Sequence, residues 1–388
     1  MNQEWKSKAG DFLPGSNLTV LPHWERKAQP AYKRAEVCTP GRLHFAVFDF
    51  LQMAPGLGGG GIGISTSTVA HRILVSRTNP GEGGCDVPTG LHMLELFKRT
   101  VGYERNDIRV TRVRSIQHKH SGYGSNVSYN TATMAGLNAF FGSPLSPQDI
   151  WEMITRNYVE NAKDGKQVYF GLETGVGEAC LLFGGLVFID EKHGNGRFLG
   201  NLSSENIWVT TAVGNYETLS TRTLRAHGQG ADMSGTTEAS FIGNWQKWQE
   251  VNGARWRNFI ETKLRPALYR NDLFGFLKHG WELNSMNNMK ILQDQFRADV
   301  MDEFNETMQR EGALYAGMSS AGPGFYAFSD SEANGKRLAR VMEQRFGKYM
   351  GTTAVARAGQ KLSIELTLPD HTPHAAKSHG EADLPALV

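Results

Sequence analysis

Hydrophobic and polar positions along the chain switch repeatedly between two periods. Residues 42–51 (RLHFAVFDFL) alternate as a strand, 58–65 (GGGGIGIS) break into a glycine loop, and 70–75 (AHRILV) read as a second strand. Residues 87–101 place Leu91, Leu94, Phe97 and Val101 on one stripe, which predicts an amphipathic helix, and 107–115 alternate again. A loop, His118–Ser125, then runs into a helix of small residues expected from about Asn126 to Phe141 and stopped at Gly142-Ser-Pro144. Ser146 as N-cap, Pro147 at the first helical position and Asp149 in the first turn open the next helix. Further on, 181–190 and 205–213 read as core strands, and 245–309 as mostly helical with breaks at Pro266 and Gly280. A third glycine loop, 317–324, leads into a strand at 325–328; a helix over 332–346 and a final strand over 360–366 follow. There is no internal repeat, and the economical reading is an α+β fold of two subdomains.

Composition narrows the picture. The 388 residues are 40 % hydrophobic and 21 % charged, enough for a substantial core and too apolar for a disordered chain. With 41 Lys+Arg against 39 Asp+Glu, a net charge of +2 predicts no nucleic-acid footprint, while leaving room for a local basic pocket. No stretch of about 18 apolar residues exists and the amino-terminal region has no apolar core of a signal peptide, so no membrane association and a cytoplasmic location are expected. Cys38, Cys85 and Cys180 are odd in number and far apart, which argues for reduced thiols. After Leu368 the Pro/His/Ala-rich stretch reads as a mobile tail whose His371, His374 and His379 could hold a metal adventitiously. Glycine is the compositional oddity: 44 residues, in clusters, against a usual share of roughly 7 %.

Those clusters carry the candidate chemistry. In His120-Ser-Gly-Tyr-Gly-Ser125 small residues precede a helix, so backbone N–H groups and the positive end of the helix dipole suit a phosphate, with His118, Lys119 and His120 at the mouth. The rival reading is a glycine turn with Ser125 as a plain N-cap. The run 58–63 suits either close approach to a substrate or a hairpin tip; it lacks the strand, helix and acidic residue of a dinucleotide fingerprint. The loop 318–325 places Ser319 and Ser320 beside the first phosphate site.

In order and spacing the three loops resemble the GHMP kinase superfamily over roughly residues 36–366. His118–Ser125 is similar to its PxxxGLGSS phosphate loop, with Tyr123 for the usual leucine and Asn126 for a second small residue. Gly317–Gly324 is similar to its carboxy-terminal glycine motif. Thr174–Gly185 (TGVGEACLLFGG) puts Gly177 where the kinases keep an aspartate, and instead resembles the SGIGTAAFEHGG pattern of the β-ribofuranosylaminobenzene 5'-phosphate synthase family. Pro40–Asp49, Gly59–Gly63, Leu264–Leu268, Asp272, Gln293 and Gly317–Pro323 resemble other segments of that family, whereas Met318 and Ala321 replace its usual glutamine and tryptophan.

The resemblance implies a left-handed βαβ amino-terminal domain (36–200, after an extension 1–35), a ferredoxin-like carboxy-terminal domain (201–368) and a tail (369–388). It also implies a decarboxylating C-ribosyltransferase that joins phosphoribosyl pyrophosphate (PRPP) to an aromatic or heteroaromatic acid, with Mg²⁺ on the pyrophosphate, in a homodimer. Gly122, Gly124, Ser125 and Asn126 would form the anion loop with Lys119 and His120 as charge partners, and Gly60, Gly61, Ser319 and Ser320 would line the same site. Arg42 and His44 would take the acceptor carboxylate or ribose phosphate, because arginine offers a bidentate fork. Asp49, Glu173 and Glu178 would serve as hydroxyl or metal ligands, with Glu173 the metal candidate. Each has a structural rival: His44 a core histidine, Asp49 a turn cap, Glu178 a helix-start carboxylate. An ATP-dependent kinase using Glu178 in place of the missing aspartate, and a non-catalytic binding protein of the same fold, stay open.

Overall fold

The structure is a computed structural model describing residues 10–48, 59–115, 122–171, 173–190, 198–220, 236–286, 289–291, 293 and 296–368. Asp49, Gly58, His118, Lys119, His120, Ser121 and the tail with its three histidines lie outside the described residues.

Two long strands organise the first half. β1 (Arg34–Val47) and β2 (Gly61–Arg77) pair antiparallel along their whole length, with irregular register at Thr39–Gly41 and His44–Ala46. Being 17 residues long, β2 has room for two partners on its other edge. Its start pairs with β7 (Leu186–Asp190) and its end with β4 (Ile108–Arg114), which in turn carries β3 (Gly84–Cys85). β8 (Phe198–Leu202) extends β7. Helices α1 (Pro88–Thr100) and α2 (Ser125–Phe140) fill one face of this sheet. Every α2 residue from Val127 to Phe140 is buried, and its small side chains permit the approach: a Cβ on Gly136 would sit 3.0 Å from methyls of Val37 and Val75. Helix α3 (Pro147–Arg156) starts at a capping box in which Ser146 and Asp149 satisfy each other's backbone. A small hairpin, β5 (Val159–Asn161) and β6 (Val168–Phe170), precedes α4 (Val176–Phe183).

In the second half, β9 (Trp208–Gly214) is followed by a helical stretch: α5 (Tyr216–Leu219), α6 (Thr236–Phe259), a π-helical turn over Ile260–Leu264, α7 (Arg265–Tyr269), α8 (Leu273–Ser285) and α9 (Ala298–Arg310). Hairpin β10 (Tyr315–Ser319) and β11 (Gly324–Ser329), helix α10 (Glu332–Phe346) and β12 (Met350–Arg357) complete a four-stranded antiparallel sheet of order β10-β11-β9-β12. That is the strand order of a ferredoxin-like split βαβ unit. One face packs on α9 and α10 through Phe304, Phe325 and Phe346. The other meets the first sheet, where Phe45 lies 5.2 Å from the Tyr326 ring and 5.4 Å from Phe328. The two halves therefore share one hydrophobic core.

Several elements differ from the sequence reading for identifiable reasons. The glycine run is mostly strand: Gly61 opens β2, and a Cβ on Gly63 would sit 2.7 Å from the Leu43 carbonyl. Residues 181–183 are the end of α4, whose uniformly apolar side chains mimic a buried strand. Gly280 breaks nothing; it lies inside α8, where a Cβ would strike the Tyr315 ring at 2.5 Å. Pro266, with no N–H to donate, follows the π turn and does not end the helical run. The last strand, β13 (Ser363–Thr367), returns to pair with β1, β8 straddles residue 200, and buried Trp24 from the amino-terminal stretch joins the first core. The chain thus builds the second sheet and then returns to the first at β13.

Candidate active site

The site lies where β1, the first turn of α2, the first turn of α4 and the β10–β11 turn converge. Gly122 and Gly124 both take left-handed φ, +83° and +69°, and Gly124 is the N-cap of α2 with no side-chain cap on the amides of its first turn. Ser125 is thus the first helical residue and not the cap. With Asn126 it is part-exposed, and its carbonyl meets His71 Nε2 at 2.8 Å.

Arg42 is the centre of the site. Its own N–H donates to the Tyr123 carbonyl at 3.1 Å, tying β1 to the loop. Its guanidinium lies against two glycines: a Cβ on Gly124 would be 2.9 Å from Nε, and one on Gly177 would be 3.2 Å from Nε and 2.4 Å from a Val127 methyl. Side chains at 124 and 177 would therefore crowd the arginine. Arg42 is only 8 % exposed, and Nε and Nη1 have no hydrogen-bond partner among the described residues. A buried cation with donors unspent, set between the amino ends of two helices, has the donor chemistry to take an anion.

Two carboxyls face it. Glu173 Oε1 accepts the N–H groups of Thr174 and Gly175 at 2.7 and 2.8 Å, so this side chain caps the entry to α4. Glu178, in the first turn of α4, is fully buried and neither oxygen has a hydrogen-bond partner among the described residues. Burial raises both pKa values, and for Glu178 the neighbouring Glu173 adds to the rise; Arg42 pulls each of them back. The Tyr158 hydroxyl donates to Glu160 Oε1 at 3.3 Å, and burial first, then Glu160 and more weakly Glu173 and Glu178, push its pKa up. No sequence pattern marks this tyrosine.

The remaining candidates have other duties. His44 is held well below its usual pKa by burial first and by Arg42 second, so it is neutral and cannot be a cationic partner for a carboxylate. Ser319 is fully buried: its Oγ donates to the Gly122 carbonyl at 2.7 Å and accepts the His44 N–H at 3.0 Å, which leaves it a brace under the loop. Ser320, at φ +56°, donates its N–H to the His44 carbonyl. Gln293 donates to the carbonyls of Met318 and Ser320, both at 2.8 Å, fixing the turn from below. Gly60 and Gly61 approach backbone, the Ile189 and Ala46 carbonyls. His71 was not distinguishable in sequence from an ordinary strand residue; its polar ring in the apolar run 70–75 was the one available signal.

Among the described residues no group of three His, Cys, Asp or Glu could hold a metal, and no helix is long and apolar enough to cross a membrane. All three cysteines are free thiols.

No protein-family model matches the chain. Its sequence is 23 % identical over 310 residues to a β-ribofuranosylphenol 5'-phosphate synthase of Methanothermobacter thermautotrophicus, covering 76 % of this chain and 88 % of that protein. Among solved structures it is similar to L. major mevalonate kinase in complex with R-mevalonate, at TM-score 0.58 and 13 % identity over 86 % of this chain and 99 % of that one. It is also similar to MDDEF in complex with MVAPP, AMPPCP and magnesium, at TM-score 0.56 and 13 % identity over 87 % and 100 %. The chain has the fold of these solved structures and is similar in sequence, at 23 % identity, to that synthase.

Proposed function

We propose that the protein is a decarboxylating C-ribosyltransferase, joining PRPP to a ring carbon of an aromatic or heteroaromatic carboxylic acid. The observation that carries this reading is Arg42, buried with donors unspent between the amino ends of α2 and α4, with glycine at 177. A phosphoryl-transfer enzyme needs a group there to orient or deprotonate a hydroxyl; a ribosyl-transfer enzyme needs fixed positive charge for a departing pyrophosphate.

In the proposed reaction the bond from the anomeric carbon to pyrophosphate breaks and its electron pair leaves with pyrophosphate. The carboxylate-bearing ring carbon supplies the pair for the new C–C bond. Loss of carbon dioxide then returns a pair to the ring, and no proton is gained or lost. Arg42 and the uncapped amides of Ser125 and Asn126 hold the anion, and the burial of Arg42 strengthens its contact by excluding water. Magnesium, when bound, neutralises charge on the pyrophosphate. Glu178, with both oxygens uncommitted, and Glu173 would hold it; two carboxylates suit an ion that completes its shell with water and phosphate oxygens.

The test is incubation of the full chain with Mg²⁺ and either PRPP or ATP, each with a panel of aromatic acids. Release of pyrophosphate and carbon dioxide is expected. ADP formation without reaction of PRPP overturns the reading in favour of a kinase. Ser125→Asp, which sets a negative charge on the loop, is expected to abolish PRPP binding in calorimetry, and undiminished affinity would mean the anion sits elsewhere.

A further inference from the structure

Gly122 and Gly124 lie on either side of a single larger side chain. Glycines in the left-handed region leave the loop little stiffness of its own, so whatever holds it must act through Tyr123 or through outside contacts. The Tyr123 ring packs against the core shared by the two halves. Its hydroxyl donates toward two carbonyls of the second sheet, Ala212 on β9 at 3.1 Å and Phe325 on β11 at 3.4 Å. These two residues are cross-strand partners, so the hydroxyl docks at one point of the ladder. The Tyr123 carbonyl meanwhile accepts the Arg42 N–H.

We infer that Tyr123 is a positioning residue that docks the anion loop onto the second sheet, fixing the α2 amides against Arg42 before any ligand arrives. The inference rests on the reading of this loop as the anion site. Ser319 and Gln293 support the same geometry from below, and among the described residues of the loop Tyr123 is the one whose side chain reaches into the other half. The consequence is a coupling: any separation of the two sheets withdraws the tyrosine and disassembles the site. Preorganisation of this kind raises affinity by removing the ordering cost from the binding step.

The experiment uses the full chain, Tyr123→Phe and Tyr123→Leu, with PRPP affinity by calorimetry in Mg²⁺ and hydrogen exchange of the peptide covering 122–128. Tyr123→Phe is expected to weaken PRPP binding about tenfold and to speed exchange in that peptide at least fivefold, while β9 and β11 keep their protection; with an acid that turns over, KM for PRPP rises and kcat stays within twofold. Unchanged affinity and exchange overturn the inference while leaving the functional reading standing. If the unaltered protein fails to bind PRPP, the functional reading falls, and the exchange arm still decides whether Tyr123 docks the loop. Should Tyr123→Phe not fold, Tyr123→Leu is measured in the same way; failure of both would make the residue a requirement of the fold and overturn a positioning role.

Discussion

Two glycine clusters of similar composition have opposite meanings. In Gly60–Gly63 the missing side chains make room for protein: a Cβ on Gly61 would fall 2.2 Å from the Ala46 carbonyl, and one on Gly60 2.5 Å from that of Ile189. These glycines let β2 lie tightly between β1 and β7. In Gly122–Gly124 the backbone turns through left-handed geometry to present a helix start with no side-chain cap; Gly122 also abuts backbone, the Ser319 carbonyl, but Gly124 abuts a cation with donors unspent. A glycine cluster marks close approach. What is approached, backbone or a buried cation with donors unspent, decides whether the site is structural or chemical.

Paired substitutions can break that contrast. Gly61→Ala combines φ +154° with a backbone clash, and is expected to cost about 3–5 kcal/mol, a large share of a typical domain's stability, read as a marked fall in the thermal midpoint. Gly124→Ala meets a different neighbour, the guanidinium end of Arg42, which can shift. It should cost about 1–2 kcal/mol in folding and yet lower PRPP affinity by a larger factor than that loss accounts for. Equal damage to stability and equal sparing of binding in the two variants would erase the distinction.

How much of this was legible in the chain depends on range. Helices with local signals, such as α3 with Ser146, Pro147 and Asp149, or α10 with its apolar stripe, are within a residue of expectation. The glycine turn into α2 was legible for the same reason: its glycines and its helix adjoin in sequence. The roles of Gly280 and Ser319 were not, because each depends on a partner far along the chain: Tyr315 for the glycine and Gly122 for the serine. Residues 181–183 failed differently. An all-apolar helix turn and a buried strand have the same composition, and only length separates them.

Glu178→Gln sharpens the contrast from the chemical side. The glutamate is fully buried and its pKa is raised well above 4.5, first by burial and then by Glu173. Such a group favours folding most below its unfolded pKa and loses that contribution as pH rises toward the folded one. An uncharged isostere should therefore stabilise the protein at pH 8 by about 1–3 kcal/mol while lowering turnover with PRPP at least tenfold. A rise in thermal midpoint with full activity would demote Glu178 to a helix-start carboxylate.

The smallest effect separates the anion-loop helix from its surroundings by pH. His71, whose ring meets the Ser125 carbonyl, and His92, packed beside Phe12, are both held near pKa 4 rather than 6.5, in each case chiefly by burial. A depressed histidine contributes stability fully above pH 6.5 and loses it as pH falls toward 4, because the unfolded chain takes up the proton first. Each would give up about 1–3 kcal/mol across that window. Protonation of Glu173 and Glu178 works the other way over the same range, so the wild-type curve blends the two. In Glu178→Gln much of the opposing limb is gone, and the thermal midpoint should fall steadily from pH 6.5 to 4; adding His92→Gln should flatten that fall by roughly half. PRPP affinity at pH 7 should be untouched by His92→Gln, since that ring packs on Phe12 and its Nδ1 accepts the Gly15 N–H, and a loss there would mean that the first core and the anion loop are coupled more widely than through Tyr123.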